Sequence, residues 1–136
     1  MLHKKYIDMD KVIIKTDLAP APIGPYNQAV IAGNFLFASG QIAFNPASGE
    51  LVNANIAEEA HQVMNNIASI LKEAGAGFNN IVKTTIFLSD MSLFAEVNEI
   101  YGSYFTGDYP ARETVAVKGL PKNVNIEISV TAFLQQ

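Results

Sequence analysis

The sequence has 136 residues, a length that suits one domain, and 49% of them are hydrophobic, which is enough to form a core. It contains no cysteine, so disulfides, thiolate nucleophiles and cysteine-bound metal sites are excluded. The net charge of −4 comes from scattered acids and bases, and this distribution argues against the basic surface that nucleic-acid binding needs.

The first ten residues predict a short extension rather than a targeting segment. They include acidic residues, no arginine and no apolar signal-peptide core. No apolar run in the sequence approaches the roughly 18 residues of a membrane span. We therefore expect a cytoplasmic protein with no membrane partner, organised as an extension over residues 1–10 and a single domain over residues 11–136.

Three strands are predicted in the first third of the chain. Residues 11–15 form a short apolar strand with a lysine at each end, a pattern typical of a sheet edge. Two further strands, over residues 28–32 and 35–39, flank Gly33-Asn34. A Gly-Asn pair between two apolar runs predicts a tight β-hairpin.

Two positions in this region are candidates for a site. The loop over residues 16–25 is stiffened by prolines and leads to Tyr26, whose phenol either covers an edge of the core or faces a ligand. The second hairpin strand ends at Ser39-Gly40, where small residues let a ligand or another backbone approach closely.

The first helix is predicted to begin after Asn55. Asn55 is a favourable N-cap, and Glu58 three residues later completes a capping-box pattern. Apolar residues then recur at helical spacing up to Gly75, which is typical of a helix end. His61 lies off the apolar stripe, so we interpret it as a solvated residue. Because His3 is the only other histidine, neither a histidine metal site nor a Ser-His-Asp triad is expected.

The next two elements are a strand over residues 81–88 and a helix over residues 91–105. The strand is apolar on both faces, which predicts a central position with cover on both sides. Asp90 or Ser92 is the predicted cap of the helix. Asn98 lies beside the apolar stripe of this helix and is either a surface residue or a group directed at a cleft.

Residues 110–127 carry two charges in an apolar setting. Strands are predicted over residues 115–117 and 124–131, around a turn. Arg112 follows a Pro-Ala at a strand entrance, and Glu127 is on the polar face of the second strand. A guanidinium can hold a carboxylate by two parallel hydrogen bonds, and a half-buried carboxylate can orient or deprotonate a water. The alternative is that Arg112 and Glu127 pair with each other across a hairpin.

The predicted order of elements is β-β-β-α-β-α-β-β. This order is typical of an α+β fold, in which two helices cover one face of a mixed sheet. The other face would be open and would carry apolar and small residues, a patch that a monomer rarely leaves exposed. The sequence therefore predicts self-association.

Six separated motifs in one order resemble the RidA family, also called YjgF/YER057c/UK114. They are IGPYNQA at 23–29, FASGQI at 37–42, FAEVNEIY at 94–101, PAR at 110–112, LPK at 120–122 and IEI at 126–128. The resemblance covers the chain from about Val12 onward. It implies a chorismate-mutase-like fold and a homotrimer, with a barrel-like centre and clefts between subunits.

The resemblance implies hydrolysis of reactive 2-imino acids or enamines, such as 2-iminobutanoate and 2-iminopropanoate, to 2-oxo acids and ammonia. By this resemblance Arg112 is the anchor of the substrate carboxylate, and Glu127 activates the water. Tyr26, Ser39 and Asn98 match further positions that line the pocket. No metal and no cofactor are implied.

Thr114 departs from the family pattern, because many relatives have a cysteine two positions after the arginine. The carboxylate anchor is retained, but any thiol-based regulation is lost. We expect Thr114 to contact the substrate and to change the shape of the pocket.

Two other functions stay open from the sequence. One is a binding or regulatory module that holds 2-oxo acids or amino acids at Arg112 without turnover; Glu127 argues against it, because a second negative charge gives a carboxylate binder little. The other is RNA cleavage, an activity attributed to some relatives. The acidic net charge and the lack of a histidine pair argue against RNA cleavage.

Overall fold

A computed structural model of the protein describes residues 11–134, so the predicted extension lies outside the described part. Six strands form one mixed sheet, and two α-helices pack on one of its faces, which confirms the predicted α+β fold. The elements are β1 (Val12–Ile14), β2 (Ala29–Ala32), β3 (Phe35–Gln41), α1 (Ile56–Glu73), β4 (Ile81–Leu88), α2 (Phe94–Gly102), β5 (Ala111–Ala116) and β6 (Ile126–Phe133). Neither helix is long and apolar enough to cross a membrane.

The strand order is β1-β2-β3-β6-β4-β5, and only β4 and β5 run parallel among the neighbouring pairs of this sheet. The predicted hairpin of β2 and β3 is confirmed, with Ala32 opposite Phe35. The predicted hairpin between the last two strands is wrong, because β4 lies between β5 and β6. The β4–α2–β5 crossover places β5 on one edge of β4 and leaves the other edge for β6.

Alternation along the strands gives the sheet a buried face and an open face. On β6, Ile126, Ile128, Val130 and Ala132 are buried under the helices, whereas the residues between them face the other way. The predicted strand over residues 81–88 is β4, and it is central. The prediction of cover on both sides is wrong for the single chain, since Lys83 on its open face is exposed.

Aromatic side chains are exposed on the open face. Phe35, Phe37 and Phe133 are each at least 37% exposed. The Phe35 ring centroid lies 5.3 Å from that of Phe133 and 6.4 Å from that of Phe37. The apolar open face that the sequence predicts is therefore present, and the self-association inferred from it stays a prediction.

The end signals of α1 act as predicted. The Asn55 side-chain oxygen accepts a hydrogen bond from the backbone N–H of Glu58 at 2.9 Å, and its amide nitrogen donates to the Glu58 carboxylate at 2.7 Å. Gly75, with φ of 74°, follows the helix in the left-handed conformation that glycine adopts without strain.

The second helix is shorter than predicted. Asp90 is the cap, since its carboxylate accepts from the backbone N–H of Ser92 at 2.7 Å, but residues 91–93 form a 3-10 turn before α2 begins. The apolar pattern continues past Gly102 because Tyr104 and Phe105 pack against Phe78 from a turn.

Candidate functional site

The predicted site residues divide into two groups on opposite faces of the sheet. Arg112 is in register with Thr84, which is buried under the helices, and Glu127 is in register with Phe87 on the open face. Because residues in register share a face, the two charged side chains point away from each other. No salt bridge joins them in the part of the chain that the structure describes, so the alternative of a hairpin ion pair is wrong.

A cleft of about 370 Å³, here called the open-face cleft, contains Glu127. Its polar lining is Tyr26, Gln28, Ser39, Gln41 and Glu127, and its apolar walls are Pro20, Ala21, Ile23, Ile42, Phe44 and Pro121. Three of the predicted site residues are therefore brought together. The small, mostly apolar space suits a short aliphatic group of a ligand, placed beside the Glu127 carboxylate.

Glu127 is the second residue of β6, close to the start of the strand, whereas the predicted range of residues 124–131 places it in the middle. Its carboxylate is half-buried, and burial raises the pKa of Glu127 above its ordinary value. No hydrogen-bond or ion-pair partner of this carboxylate is found within residues 11–134. A half-buried carboxylate without donors is suited to take a proton from water.

A β-bulge places Gly40 against Glu127. The register of β3 with β6 shifts between Ala38 and Gln41, so that Ser39 and Gly40 leave the regular ladder. A Cβ on Gly40 would lie 2.8 Å from the Glu127 carboxyl carbon, closer than real Cβ contacts allow. The sequence predicts that a ligand or another backbone approaches Ser39-Gly40. The structure instead brings the Glu127 side chain against Gly40, and glycine provides the space for it.

Gln28 holds the proline-containing loop over residues 16–25, which borders this cleft, by hydrogen bonds. Its buried amide nitrogen donates to the backbone carbonyls of Thr16, Ala19 and Pro20 at 3.0, 3.2 and 2.9 Å, and its oxygen accepts from the backbone N–H of Thr16 at 2.7 Å. A buried amide that satisfies four bonds holds a loop more firmly than prolines alone. The sequence analysis missed Gln28, and its position at the head of a strand gives no signal for this role.

Tyr26 and Ser39 form the polar side of the cleft. The Tyr26 ring is 46% exposed, so it does not cover the core, and its hydroxyl accepts from the backbone N–H of Ile23 at 3.3 Å. The Ser39 hydroxyl donates to the backbone carbonyl of Asn27 at 2.6 Å. Both oxygens keep capacity for a further hydrogen bond to a ligand or water.

Arg112 lies in a second cleft of about 340 Å³, here called the helix-side cleft. The lining is Asn98, Tyr101, Gly102, Tyr109, Pro110 and Arg112. Of the two roles left open for Asn98, the structure supports the one directed at a cleft. This lining contains no acidic residue, so the guanidinium is the only charge in it and suits an anion.

Thr114 lines neither cleft. It is in register with Ile86 on the buried face, and its hydroxyl oxygen is buried without a hydrogen-bond partner among the described residues. It shares a face with Arg112 two residues away, but the structure does not bring it into the helix-side cleft. The predicted substrate contact of Thr114 therefore stays a prediction.

Glu59 is a further residue that the sequence analysis missed. Its carboxylate is fully buried and accepts from the backbone N–H groups of Asn125 and Ile126 at 2.7 and 3.0 Å, and from the Asn125 side chain at 3.1 Å. It thereby fixes the residues just before Glu127. A signal was present, because Glu59 is four residues before Val63 on the apolar stripe of α1, where an acid is unexpected.

Asn66 has a similar role on the other wall of the open-face cleft. Its buried amide nitrogen donates to the backbone carbonyls of Ile42 and Phe44 at 3.1 and 2.9 Å. His61, as predicted, is exposed; its Nδ1 lies 2.7 Å from the Tyr104 hydroxyl, and it lines neither cleft. Residues 11–134 contain no group of three or more His, Asp or Glu side chains placed to hold a metal ion.

Comparisons with known proteins show what the chain is similar to. A sequence model of the family described as endoribonuclease L-PSP matches residues 16–134. A 2-iminobutanoate/2-iminopropanoate deaminase of Homo sapiens is 48% identical over 121 residues, 89% of this chain and 88% of that protein. A Lactococcus lactis protein named as a regulator, AldR, is 51% identical over 120 residues, 88% of this chain and 95% of that protein. The crystal structure of YyfA, a Rid family protein from Yersinia pestis, superposes with a TM-score of 0.90 at 45% identity, covering 92% of this chain and 100% of that one.

Proposed function

The chain belongs to the RidA family, whose sequence model is described as endoribonuclease L-PSP, and we propose that it is a hydrolytic deaminase of reactive 2-imino acids. Its substrates would be small imines or enamines such as 2-iminobutanoate and 2-iminopropanoate, and its products 2-oxo acids and ammonia. The observation that carries the proposal is the Glu127 carboxylate, which is half-buried, has a raised pKa and accepts no hydrogen bond from the described residues 11–134.

The reaction needs two proton transfers that one carboxylate can make. The substrate reacts as its protonated iminium form, in which the nitrogen already carries the extra proton. A water oxygen adds to the iminium carbon while Glu127 takes a proton from the water, which gives a neutral tetrahedral amino alcohol. Glu127 then returns this proton to the amino nitrogen, the C–N bond breaks, and the leaving ammonia takes the hydroxyl proton, so that the products are the 2-oxo acid and an ammonium ion. The raised pKa of Glu127 makes its carboxylate a better proton acceptor than an exposed glutamate.

The substrate carboxylate needs a cation, and Arg112 is the cation we propose for it. In a single chain Arg112 and Glu127 face opposite sides of the sheet, so they cannot act on one small substrate. We therefore propose that the site forms between subunits of a homotrimer, with Arg112 of one chain close to Glu127 of the next. The exposed rings on the open face support association, since their burial removes apolar surface from water.

The decisive experiment for this arrangement is subunit mixing. Imines are generated in situ by an amino acid oxidase, and 2-oxo acid and ammonia release are measured for wild type, for Glu127→Gln and for Arg112→Lys. Unfolding and refolding the two variants together should restore part of the activity, because some clefts then combine an intact arginine with an intact glutamate. Mixed assemblies that form but stay as inactive as the single variants would contradict a site shared between chains.

Assembly is measured separately. We expect light scattering at micromolar concentration to give about three times the chain mass of 14.7 kDa. A mass equal to one chain would contradict the shared site, because within one chain Arg112 and Glu127 lie on opposite faces of the sheet.

A second candidate is a regulatory binding module for 2-oxo acids without turnover. Arg112 favours it, because the guanidinium has no ion-pair partner and no acidic neighbour in its cleft among the described residues, and the relative named as a regulator is in keeping with it. Ammonia release separates the two: a protein that binds 2-oxobutanoate but releases no ammonia from fresh imine would be the binding module.

A further inference from the structure

Arg112 is held by ring contacts, with none of its hydrogen-bond donors used by the residues that the structure describes. Its guanidinium carbon lies 5.3 Å from the ring centroid of Tyr101 and 5.6 Å from that of Phe94. No acceptor for the guanidinium is found among residues 11–134. Aromatic faces attract a guanidinium through its flat side, whereas its five N–H donors point outward in the plane. The contact therefore fixes the cation and leaves the donors for a ligand.

Tyr101 itself is fixed to the sheet. It is 4% exposed, and its hydroxyl donates to the hydroxyl of the fully buried Thr84 at 2.9 Å. Thr84 is the register partner of Arg112 in the neighbouring strand. The Phe105 ring also packs against the Tyr101 ring, with centroids 4.9 Å apart. The ring beneath the guanidinium is thus tied to the same pair of strands that carries the arginine.

The tyrosine is a neutral platform at ordinary pH. Burial raises the pKa of Tyr101 above 10.0, and this effect outweighs the Thr84 hydrogen bond and the Arg112 charge, which act to lower it. A neutral ring does not compete with the substrate for the cation, as an aspartate or glutamate in the same place would.

We propose that Tyr101, anchored by Thr84, is a positioning residue that orients the Arg112 guanidinium and keeps its donors free for the substrate carboxylate. The inference rests on the proposed function for the identity of that ligand, a 2-imino or 2-oxo acid. Tyr101 thus contributes to the affinity for the substrate carboxylate through Arg112 and need not contact the carboxylate itself. Its effects are accordingly confined to acidic ligands and leave the water-activating half of the site unchanged.

The orientation of Arg112 can be tested without any ligand. Arg112 is the only arginine of the sequence, so protein labelled with ¹⁵N-arginine gives a single side-chain Nε–Hε signal. In wild type we expect this signal to report a rigid side chain, with the arginine methylene protons shifted upfield by the ring currents. In Tyr101→Leu both features should be lost.

The chain offers a matched control for this substitution. Tyr104 is half-buried three residues later, and its hydroxyl also takes part in a hydrogen bond, to His61 at 2.7 Å, but it does not line the helix-side cleft. Tyr104→Leu should leave the Arg112 signal as in wild type. Because Tyr101→Leu opens space in the core, Phe94→Leu is made as well: it removes the other ring from a half-buried position.

Affinity gives the second readout, with 2-oxobutanoate as the probe in calorimetry on the full chain. Loss of the Tyr101 ring should weaken binding by about 2- to 30-fold, the range of cation–π contacts. Tyr101→Phe, which keeps the ring and loses the anchor, should weaken it by about two- to fivefold. In the imine assay KM should rise with little change in kcat, whereas the methyl ester of the same imino acid should show no change in KM.

The outcomes separate this inference from the proposed function. An Arg112 signal and a 2-oxobutanoate affinity that stay at wild-type values in folded Tyr101→Leu would overturn the positioning role of Tyr101, whatever Phe94→Leu shows, and leave the proposed function intact. A wild-type protein that neither binds 2-oxobutanoate nor hydrolyses imines would overturn the proposed function, and with it the ligand named here, even if Arg112 is rigid.

Discussion

Glu127 and Arg112 carry opposite charges, lie on opposite faces of one sheet and are held by different kinds of contact. In the described part of the chain, the Glu127 carboxylate packs against Gly40 and accepts no hydrogen bond, whereas the Arg112 guanidinium packs on two rings and donates none. Each group is thus positioned by packing contacts that do not use its hydrogen-bonding groups. The carboxylate keeps its affinity for a proton and the guanidinium keeps its affinity for an anion.

This comparison predicts different sensitivities for the two clefts. Turnover, which depends on the open-face cleft, should fall when the Glu127 carboxylate is removed or displaced, and it should change with pH. Carboxylate binding in the helix-side cleft should depend on the shape of the cation and hardly at all on pH, because a guanidinium stays protonated at every working pH.

Glu127→Gln should have the largest effect. Glutamine has nearly the same shape but cannot accept the proton, so turnover should fall by about 100-fold or more, the scale of a general base. Affinity for 2-oxobutanoate should be kept or rise slightly, because a negative charge near the ligand is removed. Rate and affinity are measured on one folded preparation, and full turnover would end the catalytic role of Glu127.

Arg112→Lys tests the other cleft by keeping the charge and removing the planar fork. We expect 2-oxo acid binding to weaken by about 1–3 kcal/mol, as for a lost charge-assisted hydrogen bond, with the assembly intact. Calorimetry measures the affinity and light scattering the assembly. An unchanged affinity would remove Arg112 from the site.

Gly40→Ala tests the space above the bulge. The new methyl group has to displace the Glu127 carboxylate, and a displacement of this kind should reduce turnover by about tenfold or more, because a misplaced group near the chemistry is costly. Gly119→Ala is the matched control, since a Cβ there meets no atom within 4 Å. Turnover in Gly40→Ala equal to that of the control would show that the position of Glu127 is not set by this contact.

The pH dependence of stability should show the smallest effect. The pKa of Glu127 is raised above 4.5 in the folded protein, so the folded state binds this proton more tightly than the unfolded state. The resulting stabilisation is fully present below the unfolded pKa and is lost as the pH rises through the folded pKa. As the pH rises from the unfolded to the folded pKa of Glu127, the melting temperature of wild type should fall relative to that of Glu127→Gln. Melting temperatures of the two proteins that change with pH in parallel would contradict the raised pKa.

Signals that act over a few residues were sufficient to predict much of the fold. The Asn55–Glu58 box, Gly75 and the Gly33-Asn34 turn each act through the neighbouring backbone, and each has the predicted role. The last two strands were paired wrongly because strand order depends on contacts far apart in sequence. Alternation tells which residues of a strand share a face, but not which of its faces meets the helices.

The site was predicted less completely than the fold. The residue pattern marked several site residues as candidates, and the resemblance gave them roles. The structure brings Tyr26, Ser39 and Glu127 into one cleft, and Arg112 and Asn98 into another. The supporting residues were missed, because a buried amide or acid acts through backbone groups that the sequence does not place beside it. Only Glu59 left a signal, as an acid at a core position of an amphipathic helix.

The buried Glu59 also bears on how the chain selects one alignment of its last strand. A slip of β6 by a single residue would exchange its faces, so that Glu127 would enter the core and Ile126 and Ile128 would be exposed. The Glu59 carboxylate accepts from two successive backbone N–H groups and the intervening side chain, a set that the slipped strand does not present in the same place. The buried Glu59 carboxylate thus favours the alignment of β6 in which Glu127 lies on the open face of the sheet.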